Sequence, residues 1–120
     1  MAKIVITDDA SLIREMLGEL VEELGHTVIG ANSGEELLEI YEKEKPDVVF
    51  LDIIMDDNGL DVLEKLKKMD SNAKVVICSA IAGMQTIMEE AKAKGAVTCI
   101  AKPFNLEDIR AAIQMCLSAQ

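Results

Sequence analysis

Five short apolar runs alternate along the chain with five longer segments whose apolar residues recur at helical spacing. This alternation limits the fold more than any other feature does, because strands and helices differ in the period of their apolar residues. Most of the runs are apolar throughout and rich in Val and Ile, as strands covered on both faces are. The predicted strands are Lys3–Thr7, Thr27–Ala31 and residues 47–51, 74–78 and 96–100.

Residues that favour helix ends lie between the predicted elements. Gly25 and Gly95 stand where helices should stop, because glycine adopts positive φ without steric cost. Ser33 followed by Glu36 forms a capping-box pattern at the start of the second helix, and Asn105 is placed to cap the last one. These signals support the same division into strands and helices.

Strand and helix alternating five times predict an α/β fold with an open, doubly wound parallel sheet and helices on both faces. We expect the flavodoxin-like strand order 2-1-3-4-5, one of two common arrangements for such sheets. In either arrangement ligands bind beyond the carboxyl ends of the strands, where the winding reverses. We expect a single domain over residues 1–120, because 120 residues is an ordinary domain size.

Composition and charge argue against several classes of function. The 22 acidic and 12 basic residues leave a net charge of −10, whereas affinity for nucleic-acid phosphates comes largely from Lys and Arg. No apolar run approaches the roughly 20 residues that would span a bilayer, and no secretory signal pattern is present. We therefore expect a cytoplasmic protein with no nucleic-acid or membrane partner, in which Cys78, Cys99 and Cys116 are buried thiols.

Polar side chains follow four of the five predicted strands. Asp8 and Asp9 follow the first strand, Asp52 the third, Ser79 the fourth and Lys102 the fifth. Each alone has an ordinary interpretation as a helix cap, a turn residue or a solvated charge. Together they would meet at one edge of the sheet, where three crowded carboxylates repel one another unless a cation lies between them. Oxygen ligands with room for water suit Mg²⁺.

These residue types fit the requirements of phosphoryl transfer. The transferred group spreads charge over three oxygens, so positioning and charge neutralisation supply most of the catalysis. Mg²⁺ can hold one oxygen, Lys102 a second, and the Ser79 hydroxyl or nearby N–H groups the third. Asp52 is then the nucleophile, because a carboxylate can form an aspartyl phosphate. His26, the only histidine, is interpreted as a surface residue.

Residues 4–9, 48–52, 79–80 and 102–104 together resemble the receiver domain of two-component response regulators, and the resemblance extends over essentially the whole chain. The stand-alone chemotaxis regulators and the sporulation phosphorelay intermediate are the most similar kind. The resemblance implies that Asp52 is the phosphorylation site, Asp9 a direct Mg²⁺ ligand and Asp8 a ligand through water. It also implies that the carbonyl of Ile54 binds the metal and that a cis peptide bond precedes Pro103.

The same resemblance implies the partners and the limits of the activity. Ser79 would turn toward the phosphoryl group, and Lys102 would pair with it. The phosphoryl donor would be a phosphohistidine on a histidine kinase or a histidine phosphotransfer protein, and a downstream protein target would receive the signal. Such a domain is not an enzyme with a separate substrate, since it catalyses only its own phosphorylation and dephosphorylation.

The loop after the third strand and the fifth strand depart from the family's usual pattern. Asp56 stands four residues after the acceptor, where Pro is usual, and Gly59 comes one residue earlier than the usual glycine. The loop is either a harmless variant or one in which Asp56 or Asp57 strengthens divalent-cation binding. Cys99 stands where a Tyr or Phe ring usually swings inward, so the signal would leave instead through the loop after the fourth strand and the fourth helix.

Two apolar residues also bear on the lifetime of the phosphorylated form. Ile54 and Ile81 lie two residues beyond Asp52 and Ser79, where a side chain can position or exclude the water that hydrolyses the phosphoryl bond. Because neither isoleucine can orient a water molecule, we expect slow self-dephosphorylation.

Other classes of protein fit these residues less well. A phosphatase of the haloacid dehalogenase type also uses an aspartate nucleophile with Mg²⁺, but it needs Asp-x-Asp after the first strand, whereas Asp8 and Asp9 are adjacent. A flavin carrier needs a Ser/Thr- and Gly-rich loop there, and nicotinamide binding needs Gly-x-Gly-x-x-Gly; the chain has neither. A receiver that serves only as an interaction module is a further alternative, although all five site residues are present.

Overall fold

The computed structural model describes residues 1–53, 58–80, 84–102 and 104–118, with Met84 described by its backbone alone. Strands and helices alternate throughout these ranges. The strands are β1 (Lys3–Thr7), β2 (Thr27–Ala31), β3 (Val48–Asp52), β4 (Val75–Ser79) and β5 (Thr98–Ala101). The helices are α1 (Ser11–Glu23), α2 (Gly34–Glu44), α3 (Gly59–Met69), α4 (Met84–Ala93) and α5 (Leu106–Ser118).

The five strands form one parallel sheet in the order β2-β1-β3-β4-β5, which confirms the predicted flavodoxin-like arrangement. β1 and β2 have the predicted bounds, whereas β3 and β4 each begin and end one residue later, so that Asp52 and Ser79 are the last residues of their strands. β5 begins at Thr98, later than predicted. The reason is that the N–H of Ala96 still bonds to the carbonyl of Ala91 in α4, at 3.0 Å.

Apolar side chains cover both faces of the sheet. On one face Val5, Leu51 and Ile77 pack in a cluster with residues of α2, α3 and α4. On the other face Ile6 and Phe50 pack in a cluster with residues of α1 and α5. β3 and β4 are buried along their whole length, as strands covered on both faces must be, whereas the edge strand β2 is partly exposed.

The predicted helix ends are confirmed. Gly25 and Gly95 have positive φ, at 94° and 105°. The hydroxyl of Ser33 accepts a hydrogen bond from the N–H of Glu36 at 3.1 Å, as in a capping box. In a regular capping box the Glu36 carboxylate would accept a hydrogen bond from the N–H of Ser33. Here it accepts from the N–H of the preceding residue, Asn32. At the start of α5, Asn105 caps the helix as predicted.

The helices present apolar faces to the sheet, and α1 buries only part of its apolar residues. Leu17 and Val21 are buried, whereas Leu12 and Met16 are 65% and 52% exposed. Each residue turns an α-helix by about 100°, so Met16 points about 100° away from Leu17. Among the described residues, no helix combines the length and apolarity that crossing a bilayer requires.

The three cysteines are buried in the core, and the histidine contacts the start of the chain. Cys78, Cys99 and Cys116 are free and buried, as predicted. Burial raises the pKa of the Cys116 thiol to about 11. His26 is half-buried, and its Nδ1 accepts a hydrogen bond from the N–H of Ala2 at 3.0 Å. It therefore tethers the residues before β1, which the interpretation as a surface residue did not foresee.

Candidate functional site

Three carboxylates meet at the carboxyl ends of β1 and β3. Asp52 is the last residue of β3 and is 4% exposed, Asp8 follows β1 and is 3% exposed, and Asp9 is exposed. One oxygen from each carboxylate lies within 4.8 Å of the other two. Parallel pairing explains the meeting, because Thr7 pairs with Leu51 and the residues that follow emerge at the same edge. The structure thus brings together the three aspartates that the sequence placed there.

Lys102 reaches this cluster from the end of β5. Its Nζ lies 3.0 Å from Oδ2 of Asp8 and 3.0 Å from Oδ2 of Asp52. Burial by itself lowers the pKa of this ammonium, but its hydrogen bonds to the two carboxylates outweigh burial and raise the pKa above the usual lysine value. Lys102 is therefore a fixed positive charge between two buried negative ones.

The polar atoms of Asp8 are held on several sides. Its N–H donates to the carbonyl of Ala31 at 3.1 Å. Its Oδ1 accepts from the N–H of Ala10 at 2.9 Å, and its Oδ2 accepts from Lys102. Its carbonyl oxygen accepts from the guanidinium of Arg14 at 2.6 Å. Both carboxylate oxygens of Asp8 are therefore engaged by N–H donors of the chain.

Sequence reasoning missed Arg14. A signal was available, because Arg14 is the only basic residue of α1 and lies soon after the aspartate pair. A lone cation in an acidic helix is ordinarily taken for a solvated residue, and its bond to a backbone carbonyl has no counterpart in the side-chain pattern.

Ser79 lies at the predicted edge and links β4 to β5. It is fully buried as the last residue of β4. Its hydroxyl donates a hydrogen bond to the carbonyl of Ala80 at 2.8 Å. Its own carbonyl accepts from the N–H of Lys102 at 2.9 Å. The serine thus positions the backbone of the lysine, while its side chain is engaged with its neighbour.

α3 begins in direct contact with the end of β3. A Cβ atom on Gly59 would lie 2.6 Å from Cα of Ile53 and 2.8 Å from the carbonyl oxygen of Asp52. The N–H of Gly59 donates to the carbonyl of Ile53 at 3.2 Å. Glycine is required here for close backbone approach. The early position of Gly59, noted above as a departure from the family's pattern, coincides with this contact.

Some predicted site residues lie outside the described residues. They are Ile54, whose carbonyl is the predicted metal ligand, Asp56 and Asp57, Ile81, and Pro103, for which a cis peptide bond is predicted. Metal ligation by the Ile54 carbonyl, tighter cation binding through Asp56, and slow hydrolysis owing to Ile54 and Ile81 therefore stay predictions.

Cys99 belongs to the core and not to the carboxylate cluster. It lies in β5, is 8% exposed, and belongs to the same apolar cluster as Ala91 of α4. Met88 of α4 is partly buried and packs against that cluster. Burial raises the pKa of the Cys99 thiol. Cys99, which stands where the family usually has Tyr or Phe, is thus a small side chain packed on the α4 side of the sheet.

This fold and this cluster define a receiver domain. The family model described as "Response regulator receiver domain" matches residues 4–114. The chain therefore belongs to the receiver domains of two-component response regulators, which signal through phosphorylation, and the family predicted from the sequence is confirmed.

The relatives of the chain include a chemotaxis protein and a sporulation phosphotransferase. The chain is 41% identical to the chemotaxis protein CheY of Thermotoga maritima over 104 residues, covering 85% of this chain and 86% of that protein. It is 38% identical to sporulation initiation phosphotransferase F of Bacillus subtilis over 113 residues, covering 93% of this chain and 90% of that protein.

Solved structures agree with these relatives. A response regulator receiver domain protein from Clostridium thermocellum matches with a TM-score of 0.91 and 31% identity, over 98% of this chain and 94% of that one. NtrX from Brucella abortus in complex with ADP matches with a TM-score of 0.89 and 29% identity over 97% of this chain. In that case the chain spans only 26% of the longer protein.

Proposed function

We propose that the chain accepts a phosphoryl group from a phosphohistidine onto Asp52, in a reaction that requires Mg²⁺. The observation that carries the proposal is the meeting of three carboxylates within 4.8 Å of one another, with the Lys102 ammonium 3.0 Å from Asp52. Asp52 is the acceptor because it ends the strand between β1 and β4. It is thus flanked by the other two aspartates on one side and by Ser79 on the other.

The donor atoms fit Mg²⁺. Carboxylate oxygens are the hard ligands that this ion prefers, and it ordinarily keeps several waters. Asp9 is exposed, so an ion bound to it can stay hydrated. Both oxygens of Asp8 already accept hydrogen bonds, which supports an indirect role for Asp8 through water. When bound, Mg²⁺ would neutralise charge on a phosphoryl oxygen.

The transfer requires one bond to form and one to break. A carboxylate oxygen of Asp52 attacks phosphorus, and the phosphorus–nitrogen bond to the donor imidazole breaks. The imidazole leaves with the electron pair of that bond and takes its proton from solvent. Lys102 stays protonated, since its pKa is raised, and its ammonium stabilises the negative charge on the transferred group. The Ser79 hydroxyl would contact a phosphoryl oxygen after leaving the carbonyl of Ala80.

The partners follow from this chemistry and from the relatives. The donor is a histidine kinase or a histidine phosphotransfer protein, and a downstream protein recognises the phosphorylated surface; relatives that are a chemotaxis protein and a sporulation phosphotransferase support both. We place the protein in the cytoplasm. Its catalysis is limited to its own phosphorylation and dephosphorylation, because the acceptor is part of the chain.

Intact mass after incubation with acetyl phosphate and Mg²⁺ tests the proposal. The wild-type chain should gain the mass of one phosphoryl group, and Asp52→Asn should gain none. Asp108→Asn is a matched control with the same loss of charge, because Asp108 is an exposed residue of α5. A folded wild-type chain that gains no mass, or an Asp52→Asn variant that still gains it, would contradict the proposal. Rapid continuous release of phosphate without accumulation of the phosphorylated chain would instead indicate a phosphatase.

A further inference from the structure

Arg14 connects α1 to the turn that carries the aspartates. Its guanidinium Nη1 donates to the carbonyl oxygen of Asp8 at 2.6 Å, in a partly buried bond. Its own N–H donates to the carbonyl of Ala10 at 3.0 Å, as part of the first turn of the helix. Arg14 therefore joins the helix to the backbone at the point where β1 ends.

The carbonyl that Arg14 holds belongs to the peptide bond between Asp8 and Asp9. A peptide unit is planar, so fixing the direction of its oxygen also fixes the direction of its N–H and the start of the next residue. The N–H of Asp8 is held as well, by the carbonyl of Ala31 at 3.1 Å. The exposed Asp9 thus follows a peptide plane whose carbonyl oxygen accepts a hydrogen bond from Arg14.

The arginine side chain lies along the edge strand β2. A Cβ atom on Gly30 would be 3.7 Å from Cδ of Arg14 and 3.7 Å from its Nε. These are ordinary van der Waals distances, so the arginine stem passes beside Gly30 and would be the neighbour of any side chain placed there.

We propose that Arg14 is a positioning residue that orients the Asp8–Asp9 peptide and thereby sets the affinity of the aspartate cluster for divalent cations. This inference rests on the proposed function, because it takes Asp9 as a ligand of Mg²⁺. Groups that orient metal ligands without touching the ion commonly change metal affinity about 10- to 100-fold when they are removed.

Charge alone would have the opposite effect. A guanidinium near a cation repels it, so an Arg14 that acted only as a nearby charge would weaken Mg²⁺ binding, and its removal would tighten it. The positioning role instead requires that removal weaken binding. The sign of the change in Mg²⁺ affinity therefore separates the two effects.

Calorimetric titration of the full chain with Mg²⁺ alone measures this sign. Arg14→Ala should bind Mg²⁺ about tenfold more weakly than wild type. Arg14→Lys should recover part of the loss, since an ammonium can still donate one bond to the Asp8 carbonyl. Arg110→Ala is the control for charge, because Arg110 lies in an exposed pair with Glu107 on α5; its affinity should match wild type. Unchanged or tighter binding in Arg14→Ala overturns the proposal.

A second variant displaces the arginine and keeps its charge. In Gly30→Val a branched side chain would occupy the space through which Arg14 passes, and Mg²⁺ binding should again weaken. Valine suits a strand, so urea unfolding should show no loss of stability. Gly30→Ala should bind Mg²⁺ as wild type does, because a single Cβ meets Arg14 at an ordinary contact distance. Wild-type affinity in Gly30→Val overturns the proposal.

Failure of this inference is distinguishable from failure of the proposed function. If the wild-type chain bound no Mg²⁺, or Asp52→Asn were still phosphorylated, the proposed function itself would be wrong. If wild type binds Mg²⁺ and is phosphorylated while Arg14→Ala binds equally well, only the role given to Arg14 is wrong.

Discussion

Replacing Gly59 with alanine should destabilise the fold at the acceptor residue. The added Cβ would lie 2.6 Å from Cα of Ile53, 2.8 Å from the carbonyl oxygen of Asp52 and 2.9 Å from that of Ile53. All three atoms belong to the backbone, so no side chain can rotate out of the way. Either α3 or the end of β3 has to move.

The size of the effect follows from two opposing terms. Inserting a group into a packed site typically costs about 1–3 kcal/mol, and backbone atoms give way less readily than side chains. Alanine favours a helix over glycine by at most about 1 kcal/mol, and Gly59 is the first residue of α3, where that advantage is small. The expected result is a net loss of about 1–3 kcal/mol in the free energy of unfolding.

Gly18 in α1 provides a matched control with the opposite expectation. A Cβ on Gly18 would lie 3.5 Å from Cγ1 of Val28 and 3.9 Å from Cδ1 of Ile6, which are ordinary contacts. Because Gly18 lies inside the helix, Gly18→Ala should raise stability by up to about 1 kcal/mol. The same substitution in one chain is thus expected to change stability in opposite directions at the two positions.

Equilibrium unfolding in urea, followed by far-ultraviolet circular dichroism, measures both variants. The midpoint should fall for Gly59→Ala and rise for Gly18→Ala at unchanged slope, so that the difference is one of stability. A Gly59→Ala variant with the stability and the yield of phosphorylated Asp52 of wild type would refute the argument from close approach. Wild-type stability with a reduced yield of phosphorylated Asp52 would refute only the stability estimate, since the backbone would then have moved at little cost.

Variants at three further positions test contacts elsewhere in the chain. Lys102→Met should lower the free energy of unfolding by about 2 kcal/mol at pH 7, because two buried carboxylates lose the ammonium between them. In thermal melts, Mg²⁺ should add more stability to this variant than to wild type. Equal gains in the two proteins would contradict this prediction. Asn105→Ala should cost about 1 kcal/mol in urea unfolding, because the side chain accepts from the N–H of Asp108 at 2.8 Å, whereas Asn105→Asp should lose little. Tyr41→Phe should cost about 1 kcal/mol at neutral pH, since the hydroxyl donates to Asp70 at 2.8 Å and lowers the pKa of that carboxyl. A carboxyl group whose pKa is lowered in the folded state stabilises the fold at pH values above its ordinary pKa of 3.8. This stabilisation is lost as the pH falls through the lowered pKa, so the stabilities of wild type and Tyr41→Phe should become equal in acid. A difference in stability that does not change with pH would contradict this prediction.

The fold was predictable because its signals are periodic and redundant. Apolar runs of about five residues, separated by helical stripes, leave few arrangements of a parallel sheet. Gly25 and Gly95 mark helix ends by a property that only glycine has at low cost. Predicted strand bounds differed by one or two residues where the bound depends on the partner of a backbone N–H. Ala96, for example, was predicted to begin the fifth strand, but its N–H bonds to the carbonyl of Ala91 in α4.

The membership of the carboxylate cluster was predictable for a related reason. The carboxyl ends of parallel strands share an edge, so residues at or just beyond the ends of β1, β3, β4 and β5 come near one another. Asp8, Asp52 and Lys102 do so, and their contacts are between charged side chains that the sequence displays. Position in the chain, strand order and residue type were sufficient to bring them together.

Three contacts near the carboxylate cluster that the sequence did not reveal have one thing in common: each joins a residue to a backbone atom. Arg14 bonds to the carbonyl of Asp8, the hydroxyl of Ser79 bonds to the carbonyl of Ala80, and Gly59 lies against the carbonyl of Asp52. Every residue has a carbonyl, so nothing in a sequence marks which one will be used. Motifs therefore identify the groups that carry the chemistry, whereas their orientation depends on backbone contacts that only coordinates display. Arg14 and Gly59 accordingly lie outside residues 4–9, 48–52, 79–80 and 102–104, the segments that carry the resemblance to receiver domains in the sequence.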